Sequence, residues 1–213
     1  MIIYSPVDGD AITSSIPSNP KKCFLMTRLG KPKPPEVTSM DQAVKRCCRT
    51  AGFSVIDANS RVTGRDFLLK IWKLVASTPL SVGIVHEDIA PTTQANIFYE
   101  LGVAQALGKE TVIVKSEKSN VPSDFIRTEH VVFDKRFDKE FGKYLKGLSE
   151  QATHYETVAD QLDRNPILAI DYLKRAYLIT GNNKLKVKAK TLLREAGVES
   201  RAKNSVEQLA AAF

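Results

Sequence analysis

Four short runs of the chain are predominantly apolar: CFLM (23–26), FSVID (53–57), LSVGIV (80–85) and TVIV (111–114). A strand with one wet face alternates apolar and polar residues. Continuous apolar runs of this length instead suit strands covered on both faces, which is the habit of parallel sheets. Parallel neighbours need a crossover, usually a helix, and helix-length stretches lie between these runs. The expectation is an α/β domain over residues 21–149: a flavodoxin-like (Rossmann-like) parallel sheet with helices on both faces. HVVF (130–133) adds a short edge strand, and a helix follows over Lys135–Leu148.

Within the crossovers, helices and loops divide at the turn residues. The loop TRLGKPKPPEVTS is rich in proline and glycine, so the first helix is expected only from about Met40 to Ala51, capped by Thr38 or Ser39 and stopped by Gly52. The second helix is placed at Asp66–Ala76 after the loop NSRVTG. HEDIAPTTQ is read as a loop, and the third helix as the stretch NIFYELGVAQALGK (96–109). Its small residues Gly102, Ala104, Ala106 and Gly108 make it thin.

Residues 1–20, with Gly9, prolines and serines, read as an N-terminal arm. After residue 150 strand signals cease, and 150–213 reads as a helical C-terminal segment broken at Asn165–Pro166 and Gly181–Asn183. PILAIDYLKRAYLITGNN resembles the second helix of a tetratricopeptide-type hairpin, but in a single copy. Its apolar residues Leu168, Tyr172, Leu173, Tyr177 and Leu178, together with the thin third helix, are the grounds for expecting a homo-oligomer.

A chain of 213 residues, 43% hydrophobic, buries a core without staples. The three cysteines, Cys23, Cys47 and Cys48, are odd in number and lack metal spacing. Neither a disulfide framework nor a metal site is expected, and a reducing, cytoplasmic setting is. MIIYSPVDGD does not read as a secretory signal, and no apolar run approaches the roughly 20 residues that span a bilayer. The formal net charge is +7, but the basic residues are scattered and no nucleic-acid motif accompanies them. A nucleic-acid partner is therefore not expected. The run Lys184, Lys186, Lys188 and Lys190 reads as a solvated helix.

In open parallel sheets ligands sit beyond the carboxyl ends of the strands. The loops leaving those ends here are TRLGKPKPP, ANSRVTG and HEDIAPTTQ. Glu100, placed in the first turns of the third helix, is aimed at the same crevice, with Asn96 on the same helix face. The helix N-terminus is expected to keep this carboxylate ionised. An ionised carboxylate in a crevice suits attack on, or support of, an oxocarbenium-like carbon. It also suits a plain capping role, and the residues alone leave both open. His86, His130 and His154 read as polar loop residues, Trp72 and Tyr99 as core or interface, and Gly64 as a turn residue.

KKCFLMTRLG, AGFSVIDAN, Gly64, LSVGIV and above all NIFYELGVAQALGKETVIV together resemble the nucleoside 2-deoxyribosyltransferase-like group, which is related to TIR-like NAD-cleaving domains. The resemblance runs from Cys23 to Val114. It implies a flavodoxin-like sheet and a glutamate, here Glu100, that attacks the anomeric carbon of a nucleoside or nucleotide sugar. It implies substrate contacts from Thr27, Arg28, Asp57, Asn59, Asp88, Asn96 and Tyr99, no cofactor, and a small-molecule nucleotide, NAD included, as substrate.

The chain departs from the pattern at Gln94, where an aspartate is usual, at His86-Glu87-Asp88, and at Thr27–Arg28. These departures detach 2′-deoxyribose specificity from the resemblance. An arginine in the first loop suits a phosphate. Two functions of different class follow: a nucleotide N-glycosidase or ribosyltransferase, and a nucleotide-sensing module that binds without cleaving and signals through its helical C-terminus. A scaffold in which Glu100 only caps a helix is the third.

Overall fold

The structure is a computed structural model describing residues 3–12, 15–30, 32–57, 67–162 and 164–195. The loop NSRVTG and the tail LAAAF lie outside those residues. The chain divides into two compact units, Lys22–Lys146 and, together, Met1–Lys21 with Gly147–Phe213.

The first unit carries β1 (Lys22–Met26), α1 (Pro35–Thr50), β2 (Ser54–Asp57), α2 (Phe67–Ser77), β3 (Leu80–Val85), α3 (Pro91–Ala106), β4 (Glu110–Lys115) and β5 (Glu129–Val132), and the start of α4 (Phe137–Asp160). The strands form a five-stranded sheet in the order β2-β1-β3-β4-β5, with every pairing parallel. This is the flavodoxin-like order, whose switch point lies between β1 and β3.

Strand alternation sends Phe24 and Met26 to one face, where they meet Ile71 and Val75 of α2 and Ile97, Leu101 and Ala104 of α3. Cys23 and Leu25 point the other way and are equally buried, and Cys23 meets Cys48 of α1 there. A sheet covered on both faces is what the apolar runs require.

Two helix starts differ from expectation for one reason. α1 begins at Pro35 and α3 at Pro91, each with proline in the first turn. Proline has no N–H to donate, but the first N–H groups of a helix lack intrahelical partners anyway. The prolines therefore open these helices rather than exclude them. Thr38 and Ser39 do not cap α1; their hydroxyls donate back to the Pro34 and Pro35 carbonyls at 3.1 Å.

Part of the thin side of α3 packs within this unit, while Ala106 is exposed. Ala104 is buried in the core, and a methyl group on Gly102 would meet Phe125. The close approach of α3 to the sheet comes from Gly83 of β3, where a methyl group would fall 2.7 Å from Leu101 Cδ1.

In the second unit, the Lys21 N–H donates to the Leu178 carbonyl at 2.8 Å, so the end of the N-terminal arm packs with the helical segment. α4 continues to Asp160 rather than ending near Leu148. α5 (Pro166–Thr180) is capped by the Asn165 side chain, which accepts from the Leu168 N–H at 3.1 Å, and closes at Gly181 with φ 69°. α6 (Asn183–Glu195) follows, its Lys186 ammonium lying 4.6 Å from the Tyr177 ring centre. Among the described residues no helix is long and apolar enough to cross a membrane.

Candidate functional site

At the carboxyl end of β1, on the α2–α3 side of the sheet, lies a cavity of about 320 Å³. Thr27 and Leu29 reach it from the turn after β1, and Phe67, Leu68 and Ile71 reach it from α2. α3 contributes Thr93, Asn96, Ile97, Tyr99 and Glu100. The spacing 93, 96, 97, 100 is one helical face. Because α3 starts at Pro91, Glu100 sits in its third turn, away from the positive end of the helix.

That position changes the electrostatics expected from sequence. Glu100 is held among apolar groups, and burial alone pushes its carboxyl from the ordinary 4.5 up to about 7. The carboxyl makes no hydrogen bond or ion pair with any described residue. Near neutral pH it is shared between its acid and carboxylate forms, and is not the fully ionised group that a place at the helix terminus would make it. Thr27 is 4% exposed, and its hydroxyl has no hydrogen-bond partner among the described residues. Unpartnered buried polar groups are uncommon, and the Thr27 hydroxyl lines the same cavity as the half-buried Glu100 carboxyl.

Of the residues expected at the site, Thr27, Asn96, Tyr99 and Glu100 meet at the cavity. Arg28 is half-buried just beyond Thr27 and is not among the lining residues. Asp57, at the end of β2, is turned to Lys45 at 3.2 Å. Asp88 is exposed in the β3–α3 loop. Asn59 lies outside the described residues. Gln94, which stands where the resembling group has an aspartate, ties down the β3–α3 loop. Its amide donates to the carbonyls of His86 at 3.1 Å and Ile89 at 2.8 Å.

His86 is not a loop residue on the surface. It is 1% exposed. Strand alternation carries it on from Val82 and Ile84 toward α1. The Asp88 N–H donates to Nδ1 at 3.1 Å, and Nε2 lies 2.7 Å from Glu36 Oε2. An Nδ1 that accepts leaves the proton on Nε2, which donates to Glu36. The neighbouring Glu87 carboxylate accepts from the hydroxyls of Ser116 and, at 3.2 Å, Ser119, and the Ser116 bond leads in drawing its pKa down to about 2.

Ligand atoms of Glu36, His86 and Glu87 lie within 4.8 Å of one another. The donor set suits a metal poorly, since one imidazole nitrogen already accepts from the backbone and the other already donates to Glu36.

No protein-family model matches the chain, and no curated protein matches it. Among solved structures it is similar to a 2-deoxyribosyltransferase from the psychrotolerant bacterium Bacillus psychrosaccharolyticus, at 14% identity and a TM-score of 0.44, over 58% of this chain and 91% of that one. It is also similar to the CMP N-glycosidase of Clostridium botulinum, at 18% identity and a TM-score of 0.39, over 59% of this chain and 98% of that one.

Proposed function

We propose that the protein cleaves or exchanges an N-glycosidic bond of a nucleotide or nucleoside, with NAD and nucleoside monophosphates as the substrates to test first. The observation that supports this reading is the Glu100 carboxyl, without a partner among the described residues and lining a cavity at the carboxyl end of the sheet, with Thr27, Asn96 and Tyr99 around it. In this reading the ionised carboxylate attacks the anomeric carbon. The carbon–nitrogen bond breaks, and its electron pair leaves with the base. Water, or a second base, then displaces the carboxylate from the sugar. Asn96 and Thr27 hold sugar hydroxyls, and Arg28 meets a phosphate outside the cavity.

The raised pKa also favours a second reading, a module that binds its nucleotide without cleaving it, because a neutral carboxyl does not attack. Incubation with NAD, nucleoside monophosphates and deoxynucleosides, followed by mass detection of free base, separates the two. Base released by the wild-type chain and lost in Glu100→Gln supports the enzyme. Binding with no base from any substrate leaves the module.

A further inference from the structure

Along α5, in the second unit, lies a cavity of about 340 Å³. That is the size of a small-molecule site. Ile167, Ile170, Asp171, Lys174 and Arg175 line it at helical spacing, with Leu168 beside them. Three of these side chains are aliphatic. Ile170 is buried, whereas Ile167 and Leu168 are 44% and 40% exposed and so offer apolar surface to a ligand.

The charges of the wall are unevenly committed. Asp171 accepts from Arg175 Nε at 3.0 Å, one turn further along the helix. The same guanidinium stands 5.8 Å from the Tyr155 ring centre and 5.4 Å from that of Tyr172. These contacts hold Arg175 in place and offset the Asp171 charge, which leaves Lys174 as the net positive charge of the described wall. Burial draws the Lys174 ammonium below its ordinary pKa of 10.5, although the nearby Asp171 charge works the other way. An ammonium that has lost hydration gains more from an anion than one in open water does. A carboxylate supplies that anion, and the aliphatic side chains seat whatever apolar group carries it.

We propose that this cavity binds small organic acids, a carboxylate on an apolar body, with Lys174 as the counter-ion and Ile167 and Leu168 against the body. Its described lining shares no residue with that of the Glu100 cavity, and the site does not depend on the glycosidic reading.

The test uses two probes of nearly the same shape, naphthalene-2-carboxylate, which is an anion, and uncharged naphthalene-2-carboxamide. Titration calorimetry compares them on the full chain at about pH 7, where the first probe is ionised. The expected result is a carboxylate preference of about tenfold or more. Lys174→Gln is expected to remove the preference and to leave carboxamide binding nearly unchanged. Leu168→Ser is expected to weaken both probes alike, by about threefold or more. Because Leu168 is exposed, that variant supplies the test should Lys174→Gln fold poorly.

Equal affinities for the two probes, no binding of the carboxylate at millimolar concentration, a preference that persists in Lys174→Gln, or full affinity in Leu168→Ser overturns the proposal. Self-association seen by light scattering and abolished in Leu168→Ser, with neither probe bound, would give the cavity to a second copy of the chain and overturn it as well.

Discussion

The Nε2 of His86 lies 2.7 Å from Oε2 of Glu36, joining the end of β3 to the first turn of α1 across the switch point of the sheet. The pair is lopsided: the imidazole is buried, whereas the Glu36 side chain is 73% exposed. Their removal is therefore expected to differ in effect. His86→Ala leaves a void and strands the Asp88 N–H, and is expected to cost about 2–4 kcal/mol. Glu36→Gln keeps an acceptor and sits in water, so it is expected to cost less than about 1 kcal/mol. Chemical denaturation of the two variants measures this, and equal losses would show that the imidazole is not the structural member.

Glu100 makes stability depend on pH in an unusual direction. Its folded pKa is raised from 4.5 to about 7, so the folded state holds this proton more tightly than the unfolded state. The favourable contribution is fully present below 4.5, is lost as pH rises from there to about 7, and stays lost above it. The span corresponds to about 3 kcal/mol as an order of magnitude. Glu100→Gln carries no charge at any pH. It is expected to match the wild type in acid and to be more stable than it at about pH 8. Unfolding midpoints of both proteins across this range decide the matter, and a constant difference between them would contradict the burial of this group.

The same shift sets a rate profile under the glycosidic reading. The attacking form is the carboxylate, so kcat/KM is expected to rise with pH and level off above about 7. A rate already at its plateau at about pH 5 would mean that the group responsible is an ordinary exposed carboxylate, not Glu100.

These two expectations were not available from sequence, for a traceable reason. The strands were legible because burial on both faces leaves no charged residue and only the small Ser81 inside the run LSVGIV. The helix starts were not, because Pro35 and Pro91 read as breakers until their place in the first turn is known. Moving the start of α3 from Asn96 back to Pro91 puts Glu100 about a turn and a half further from the helix terminus, and the expected stabilisation of its charge disappears. The meeting of Thr27, Asn96, Tyr99 and Glu100 was legible through a motif and sheet topology. The buried His86 was not, because a single polar residue after a strand looks the same whether the loop beyond it folds over or away.

Arg28 follows Thr27 directly and stands outside the cavity lining. Under the glycosidic reading, Arg28→Ala is expected to weaken phosphorylated ligands by about 1.5–3 kcal/mol and to leave uncharged nucleosides nearly unchanged. Affinities for a nucleoside and its monophosphate, measured side by side, give the comparison. Equal weakening of both would show that Arg28 acts on the fold of the turn and not on phosphate.

Two glycines on facing elements are expected to respond to the same substitution with opposite signs. At Gly83 in β3 a methyl group would lie 2.7 Å from Leu101 Cδ1 and 3.1 Å from Ile97 Cγ2. Leu101 is fully buried, so a methyl group at Gly83 presses its side chain, and α3 with it, away from β3. Overpacking of this kind costs about 1–3 kcal/mol. Gly102 lies within α3, where a methyl group would meet only Phe125 Cζ at 3.9 Å, an ordinary contact. Gly102→Ala removes the backbone entropy penalty of glycine in a helix and is expected to stabilise by about 0.5–1 kcal/mol. The displaced helix in Gly83→Ala carries Glu100, the neighbour of Leu101, away from the turn after β1. That variant is thus also expected to lose part of the pH-dependent stability difference described for Glu100→Gln, since a loosened cavity admits water to the carboxyl. Gly102→Ala keeps the difference intact. Denaturation of both variants at acid and alkaline pH reads stability and cavity closure together, and a Gly83→Ala protein as stable as the wild type would refute the close seat of α3 on the sheet.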